Sequence, residues 1–212
     1  SACSAGSEGG ESDVPNPPDP AKPTVRMPID ISTTITRATE TAFENGDQIG
    51  LFVVNRNADG TQVALQPEGN HVDNMLYTYS DVWTSVTPVY WKDDRTCADF
   101  YLYYPYRNTV SSVSAMPFDV AADQSSASAY KAADLLVGST LNVAPKKQAV
   151  GIVAKHVMSQ VEIVLKAGNG FTSASLASAK VALRLNDMKT SATVDLSTAA
   201  VTATGECGRR HL

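Results

Sequence analysis

Residues 152–168 (IVAKHVMSQVEIVLKAG) restrict what this chain can fold into more than any other stretch. From Val157 to Leu165, Val157, Val161, Ile163 and Leu165 share one parity, while Met158, Gln160, Glu162 and Lys166 share the other. A repeat of two is the signature of a half-buried strand, because successive side chains point to opposite faces of a sheet. β-branched residues dominate the inward parity, and Gly168 and Gly170 end the run. The stretch carries no nucleophile, metal cluster or phosphate loop, so what it conveys is architecture.

The rest of the chain repeats the theme. Residues 27–35 (MPIDISTTI) predict a strand with Ile29, Ile31 and Ile35 as its apolar set. Asn45-Gly46 predicts a turn, since both residues tolerate positive φ. Residues 48–55 predict a strand, 56–60 a turn and 61–66 a returning hairpin partner. Residues 75–79 and 89–92 flank Trp83 as a strand pair around a turn. Residues 99–104 (DFYLYY) alternate Phe100, Leu102 and Tyr104 against Tyr101 and Tyr103, and Pro105 stops them. Residues 108–129 read as a long polar loop with one short strand at 116–120. Further strands are expected at 132–137, 141–143, 180–185, 190–196 and 200–204, with a single helical turn at 173–178. About ten short strands with almost no helical periodicity predict an all-β fold, an antiparallel β-sandwich.

The sequence has 212 residues, which suits one domain of about 100–150 residues plus added segments. The sandwich is assigned to 27–205, and residues 206–212 match neither a strand nor a cap and are assigned as a tail. A formal charge of −5, with 17 scattered Lys and Arg, argues against a nucleic-acid partner, which needs clustered cations. No run approaches the ~20 apolar residues of a membrane-spanning helix.

Residues 1–26 form a tether. An acidic Ser/Gly run is followed by a proline-rich segment, a composition that cannot bury surface and favours an extended spacer. Ser1-Ala2-Cys3 resembles the end of a bacterial lipoprotein signal, and the acidic run after it resembles the surface-export signal of Bacteroidetes lipoproteins. That resemblance implies lipid attachment at Cys3 and anchorage in the outer membrane; an ordinary free Cys is the alternative. Cys97 and Cys207 are left open as a pair, with a small buried hydrophobe the simpler reading of Cys97.

Candidate chemistry is sparse. On a strand, His156 and Ser159 point to opposite faces and make no nucleophile–base pair. Isolated His residues and the lack of a Cys-x-x-Cys argue against a transition-metal site, and no cofactor is expected. Asp93, Asp94 and Asp99 lack the spacing of a calcium loop and suit a solvated turn. The chain therefore reads as a non-enzyme. The rival signal is aromatic: Trp83, Trp91, Tyr101 and Tyr103 are candidates for stacking on a glycan or partner protein, or for cross-strand packing.

In order along the chain stand Thr36-Arg37-Ala38-Thr39, Phe43-x-x-Gly46-Asp47-x-Ile49-Gly50-Leu51-Phe52, then Trp83 with Tyr90-Trp91. Phe100-Tyr101-x-Tyr103-Tyr104-Pro105-Tyr106 and Ala133-Asp134-Leu135-Leu136 follow. Lys155-His156-x-Met158-Ser159-x-Val161-x-Ile163-x-Leu165 and Thr190-Ser191-Ala192-Thr193-Val194-Asp195-Leu196 complete the series. Together these resemble the fimbrillin-like (FimA/Mfa-like) surface proteins of Bacteroidales. The resemblance implies a transthyretin-like β-sandwich and a role as structural or accessory subunit of fimbriae. It further implies Arg-specific processing at Arg37, loss of residues 27–37 as a removable first strand, and strand exchange with other fimbrial subunits. Arg26 lies on the tether side of that strand and suits the cut less well. Family members generally carry a second sandwich and a terminal donor segment, whereas the likeness here covers about 37–205. A fragment, a truncated product and a one-domain accessory protein all remain open.

Overall fold

The computed structural model describes residues 26–36, 42–181 and 183–211. Its elements run β1 (Ile31–Ile35), β2 (Gln48–Asn55), β3 (Val72–Ser80), β4 (Val82–Ser85), β5 (Ala98–Tyr104), β6 (Met116–Asp119) and α1 (Ala127–Ala132). They continue with β7 (Leu136–Val143), β8 (Val150–His156), α2 (Ser173–Ser178), β9 (Arg184–Met188), β10 (Ser191–Val194), β11 (Val201–Thr204) and β12 (Gly208–His211). Seven strands form the main sheet in the order β1-β8-β7-β5-β2-β3-β4. A smaller sheet has the order β11-β10-β6, and β12 pairs with β9. The expected all-β sandwich is present.

The alternation of residues 99–104 explains how the layers meet. Phe100, Leu102 and Tyr104 join Ile49, Leu51, Val53, Ile152 and the two tryptophans in one apolar cluster. Tyr101 and Tyr103 join Phe52, Met116, Phe118, Val194 and Leu196 in a second cluster, against the smaller sheet. β2 and β5 are thus apolar on both faces, as strands buried on both sides must be. The first cluster is enclosed because the main sheet curls until its two edge strands face each other. Trp83 on β4 donates its indole N–H to the Thr33 hydroxyl on β1, at 3.0 Å.

The turn before β2 forms for local reasons. Gly46 takes φ +98°, Asp47 accepts the Glu44 N–H at 2.8 Å, and the Gly46 N–H and the Asp47 carbonyl bond to Tyr79 of β3. α1 and α2 are capped by Ser126 and Thr172, and α2 lies where a helical turn was expected.

Several expectations are corrected. The period-2 stretch becomes a strand only through His156; Val157 and Met158 tuck against the second cluster, and the chain then runs on unpaired. Val161 and Val164 are 53% and 68% exposed. Alternation supplies a face, but a strand also needs a neighbour to complete its backbone bonds, and no described strand lies beside 159–168. Residues 61–66 form no hairpin; Asp59 caps Thr61 instead, Leu65 is buried in the second cluster and Val63 packs half-buried against it. Trp83 sits on a strand rather than in a turn, and 89–92 contributes only a single bridge, Tyr90 to Pro28. Of the segments expected at 132–137 and 141–143, residues 136–137 and 141–143 belong to the single strand β7, whereas Ala132 ends α1, whose first half lies in the expected long loop. The assigned tail supplies β12, because β9 offers it an antiparallel edge. One pairing departs from the antiparallel rule: β1 runs parallel to β8.

Candidate functional site: a groove filled by the first strand

β1 is attached to the domain from two sides. Its five residues pair in parallel with Val150–Ala154, and flanking bonds run from Val150 N to the Asp30 carbonyl and from Thr36 N to the Ala154 carbonyl. Just upstream, the Ile29 N–H donates to Val89 at 2.8 Å, and Trp91 N–H to Met27 at 2.9 Å. Residues 27–35 therefore lie in a groove between β8 on one side and residues 89–91 with β4 on the other. Alternation places Ile29, Ile31, Thr33 and Ile35 inward, and Asp30, Ser32 and Thr34 in solvent. Ile29 and Ile31 are 4% and 6% exposed, so removing this strand would open the first cluster to water. Burying each such side chain is worth about 2 kcal/mol.

A cleft of ≈ 450 Å³ remains between β1 and β4, walled by Ile31, Ile35, Phe43, Tyr79, Val82 and Trp83. Phe43 closes its end. The ring meets Trp83 edge-on at 4.9 Å and Tyr104 at 5.7 Å. Beneath Phe43, Lys131 of α1 bonds Glu44 at 2.7 Å and Asp47 at 2.8 Å, and Asp47 also accepts from the Tyr104 hydroxyl at 3.3 Å. Hydrogen bonds to Asp47 and then Glu44 hold the Lys131 ammonium well above its ordinary pKa. Burial, reinforced by the Asp47 carboxylate, pushes the Tyr104 phenol up to about 12. The first residues after 37–41 are thereby anchored to the body independently of β1.

The sequence-derived site residues fare unequally. Cys3 and Arg37 lie outside the described residues. Trp83, Trp91, Tyr101 and Tyr103, the candidate binding aromatics, are 7%, 5%, 1% and 0% exposed, so of the two readings, stacking on a ligand and cross-strand packing, their burial fits packing. A ring offers a face to a glycan only where it meets solvent, and here both faces of β5 are covered. Tyr101 bonds Gln62, and Tyr103 bonds Asn74 and the Arg107 carbonyl. Asp93 forms a solvated turn with Arg95 and Thr96, which lowers its pKa to about 2, mainly through the Thr96 hydroxyl. Asp99 is instead buried and paired with Arg56 at 2.8 Å. His156 bonds Asp134 at 2.6 Å, and Ser159 follows beyond the end of β8. Cys97 and Cys207 are unpaired thiols, the first half-buried and the second exposed. Arg26 is exposed over the Tyr90 ring. The Lys131–Asp47 clamp had no signal in the sequence, because its partners are far apart along the chain.

The fimbrillin-like family profile matches residues 36–210, nearly all of the sandwich. The chain belongs to the fimbrillin-like family. "Putative fimbrium subunit Fim1C" of Bacteroides uniformis is 29% identical to this fimbrillin-like chain over 166 residues, covering 77% of the chain and 52% of that protein. "Putative fimbrium tip subunit Fim1C" of Bacteroides ovatus is 28% identical over 110 residues, covering 47% of the chain and 19% of that protein. The fimbrillin-like chain thus spans about half the length of the first relative and less of the second. The crystal structure of a "putative cell adhesion protein" from Bacteroides uniformis superposes with a TM-score of 0.67 at 25% identity, covering 89% of the chain and 70% of its own. A second, from Bacteroides ovatus, has the same TM-score at 16% identity, covers 88% and 72%, and shows a shared fold.

Proposed function

We propose that this chain is a structural or accessory subunit of cell-surface fimbriae, assembled by strand exchange and supporting adhesion, and that it has no catalytic role. The observation that carries this reading is the position of β1. It is an edge strand that seals an apolar cluster, and it is joined to β2 through the segment holding Arg37. A cut after Arg37 leaves β1 attached by non-covalent contacts alone. Losing the covalent link removes the high effective concentration that keeps a short strand in place. An emptied groove would present the unpaired backbone edge of β8 together with Val150, Ile152 and Ala154, which an extended strand from another subunit can satisfy. The family match begins at residue 36, one residue beyond β1, and the relatives' names point to fimbriae. In this reading lipidation at Cys3 holds the precursor at the outer membrane, and the Pro-rich tether lets the protease reach Arg37. Nucleic acid is not a partner of so acidic a chain.

Limited digestion with an Arg-specific protease tests this reading. The expected result is one cut leaving Ala38 at the front, followed by ordered oligomers on size exclusion and in electron micrographs. Resistance at Arg37, with residues 27–37 remaining part of a stable monomer, overturns it.

A further inference from the structure

The walls of the groove carry two indole N–H groups that have been satisfied in different ways. Trp91 donates to the backbone carbonyl of Lys146 at 3.2 Å, within the body of the domain. Trp83 donates to the side chain of Thr33 at 3.0 Å, on the strand that fills the groove. Trp83 is 7% exposed, and among the described residues Thr33 is the acceptor for its N–H. Thr33 lies opposite Ile152 in the ladder, with Ile31 and Ile35 two residues to either side on the same inward face.

We propose that the Trp83 indole N–H sets the sequence preference of the groove. It selects a strand that carries a hydroxyl acceptor, Thr or Ser, between two branched aliphatic side chains in the pattern aliphatic-x-hydroxyl-x-aliphatic. The proposal rests on the strand-exchange reading and adds which strands the groove takes up. Aliphatic positions alone would accept almost any β-rich segment, since burial of apolar surface is non-directional. A largely buried donor behaves differently: it must find an acceptor, and an occupant with a purely aliphatic inward face leaves it unmade. The same device fixes register. A strand displaced by two residues keeps its inward parity but sets an isoleucine against the indole N–H.

The test uses the full chain, nicked between Arg37 and Ala38 and still holding its first strand. Synthetic peptides matching residues 26–37, with Thr, Ser or Val at position 33, compete for the groove against a labelled Thr33 peptide. The Thr and Ser peptides should bind alike, and T33V should bind about tenfold more weakly despite its equal shape. In the W83F chain, which keeps a ring but loses the donor, that difference should vanish. The 15N-labelled indole resonance of Trp83 should move between the Thr and Val complexes, while that of Trp91 stays. Equal binding of Thr33 and T33V peptides to the Trp83 chain, or discrimination that survives in W83F, overturns the proposal and leaves strand exchange standing. The peptide comparison on the unmodified chain decides the matter should W83F fold poorly. If no peptide enters the nicked chain at all, the strand-exchange reading fails and the proposal with it.

Discussion

Phe43 stands edge-on to Trp83, with ring centroids 4.9 Å apart and planes at 78°. The contact joins the first described residues after 37–41 to β4, the strand at the far edge of the main sheet from β1. It places an aromatic stop at one end of the groove, held by residues that stay with the body after a cut at Arg37. The pair also walls the cleft left where the two sheet edges approach.

Replacing Phe43 by Ala should lower the unfolding free energy by about 2 kcal/mol, combining lost burial of a half-exposed ring with lost edge-to-face contacts. F43L should recover about half of this, because it restores volume without the ring quadrupole. Urea unfolding monitored by tryptophan fluorescence measures both. A loss below about 0.5 kcal/mol for F43A would show that the ring does not hold the edge in place.

Arg56 and Asp99 tie the end of β2 to the start of β5, and Asp99 also accepts the Asn142 N–H at 2.6 Å. Asp99 is fully buried, so R56M strands a carboxylate in the core and should cost about 3–5 kcal/mol. Removing both charges in R56M/D99L should cost clearly less than the sum of the single changes. Additive effects in a double-mutant cycle would contradict a coupled pair.

Gly138 of β7 pairs with Ala154 of β8 and leaves no room for a side chain. A Cβ there would lie 2.5 Å from the Val153 carbonyl oxygen and 3.1 Å from the Ala154 Cα, both backbone atoms that cannot rotate aside. G138A should therefore push β8 outward and destabilise the domain by about 2 kcal/mol or more. Since β1 is paired to β8, amide exchange should quicken in both strands before it does in β2 and β3. Unchanged protection of β1 would separate its anchorage from β8.

Alkali should weaken the domain in a defined window. Burial raises the phenols of Tyr103 and Tyr104 from 10.0 to about 12, so the folded chain retains protons that the unfolded chain releases. The stabilisation is complete below pH 10 and is lost as pH rises through about 12, because above the unfolded value the unfolded state binds fewer protons. Lys131, also raised, contributes with the same sign. Unfolding free energies measured from about pH 8 to 12 should fall over the upper two units, and Y104F should flatten the fall. A fall of equal size in Y104F would rule this out.

The core strands were legible in the sequence, and the reasons are local. β2 and β5 announce themselves by their apolar and aromatic runs and by Pro105, and the Asn45-Gly46 turn by the φ it needs. The parity of residues 99–104 separates the two apolar clusters. What alternation could not reveal is the number of partners. Residues 159–168 alternate as well as any strand and remain unpaired, whereas residues 208–211, which lack a pattern, form a strand because an edge is available. The aromatic residues show the same limit. Tyr101 and Tyr103 are on the parity that alone would face solvent, and only the second sheet turns them into core.

From the sequence alone came the all-β class, the positions of the main strands, the proline-rich tether composition and the set of motifs that the family match bears out. These follow from side-chain periodicity and backbone preference, which act over a few residues at a time. Tertiary structure decided that β1 lies parallel to β8, that the two edges of the sheet meet, and that Thr33 reaches Trp83 across fifty residues of chain. Pairing partners and burial on a second face depend on which segments arrive beside one another, and only the assembled fold specifies that.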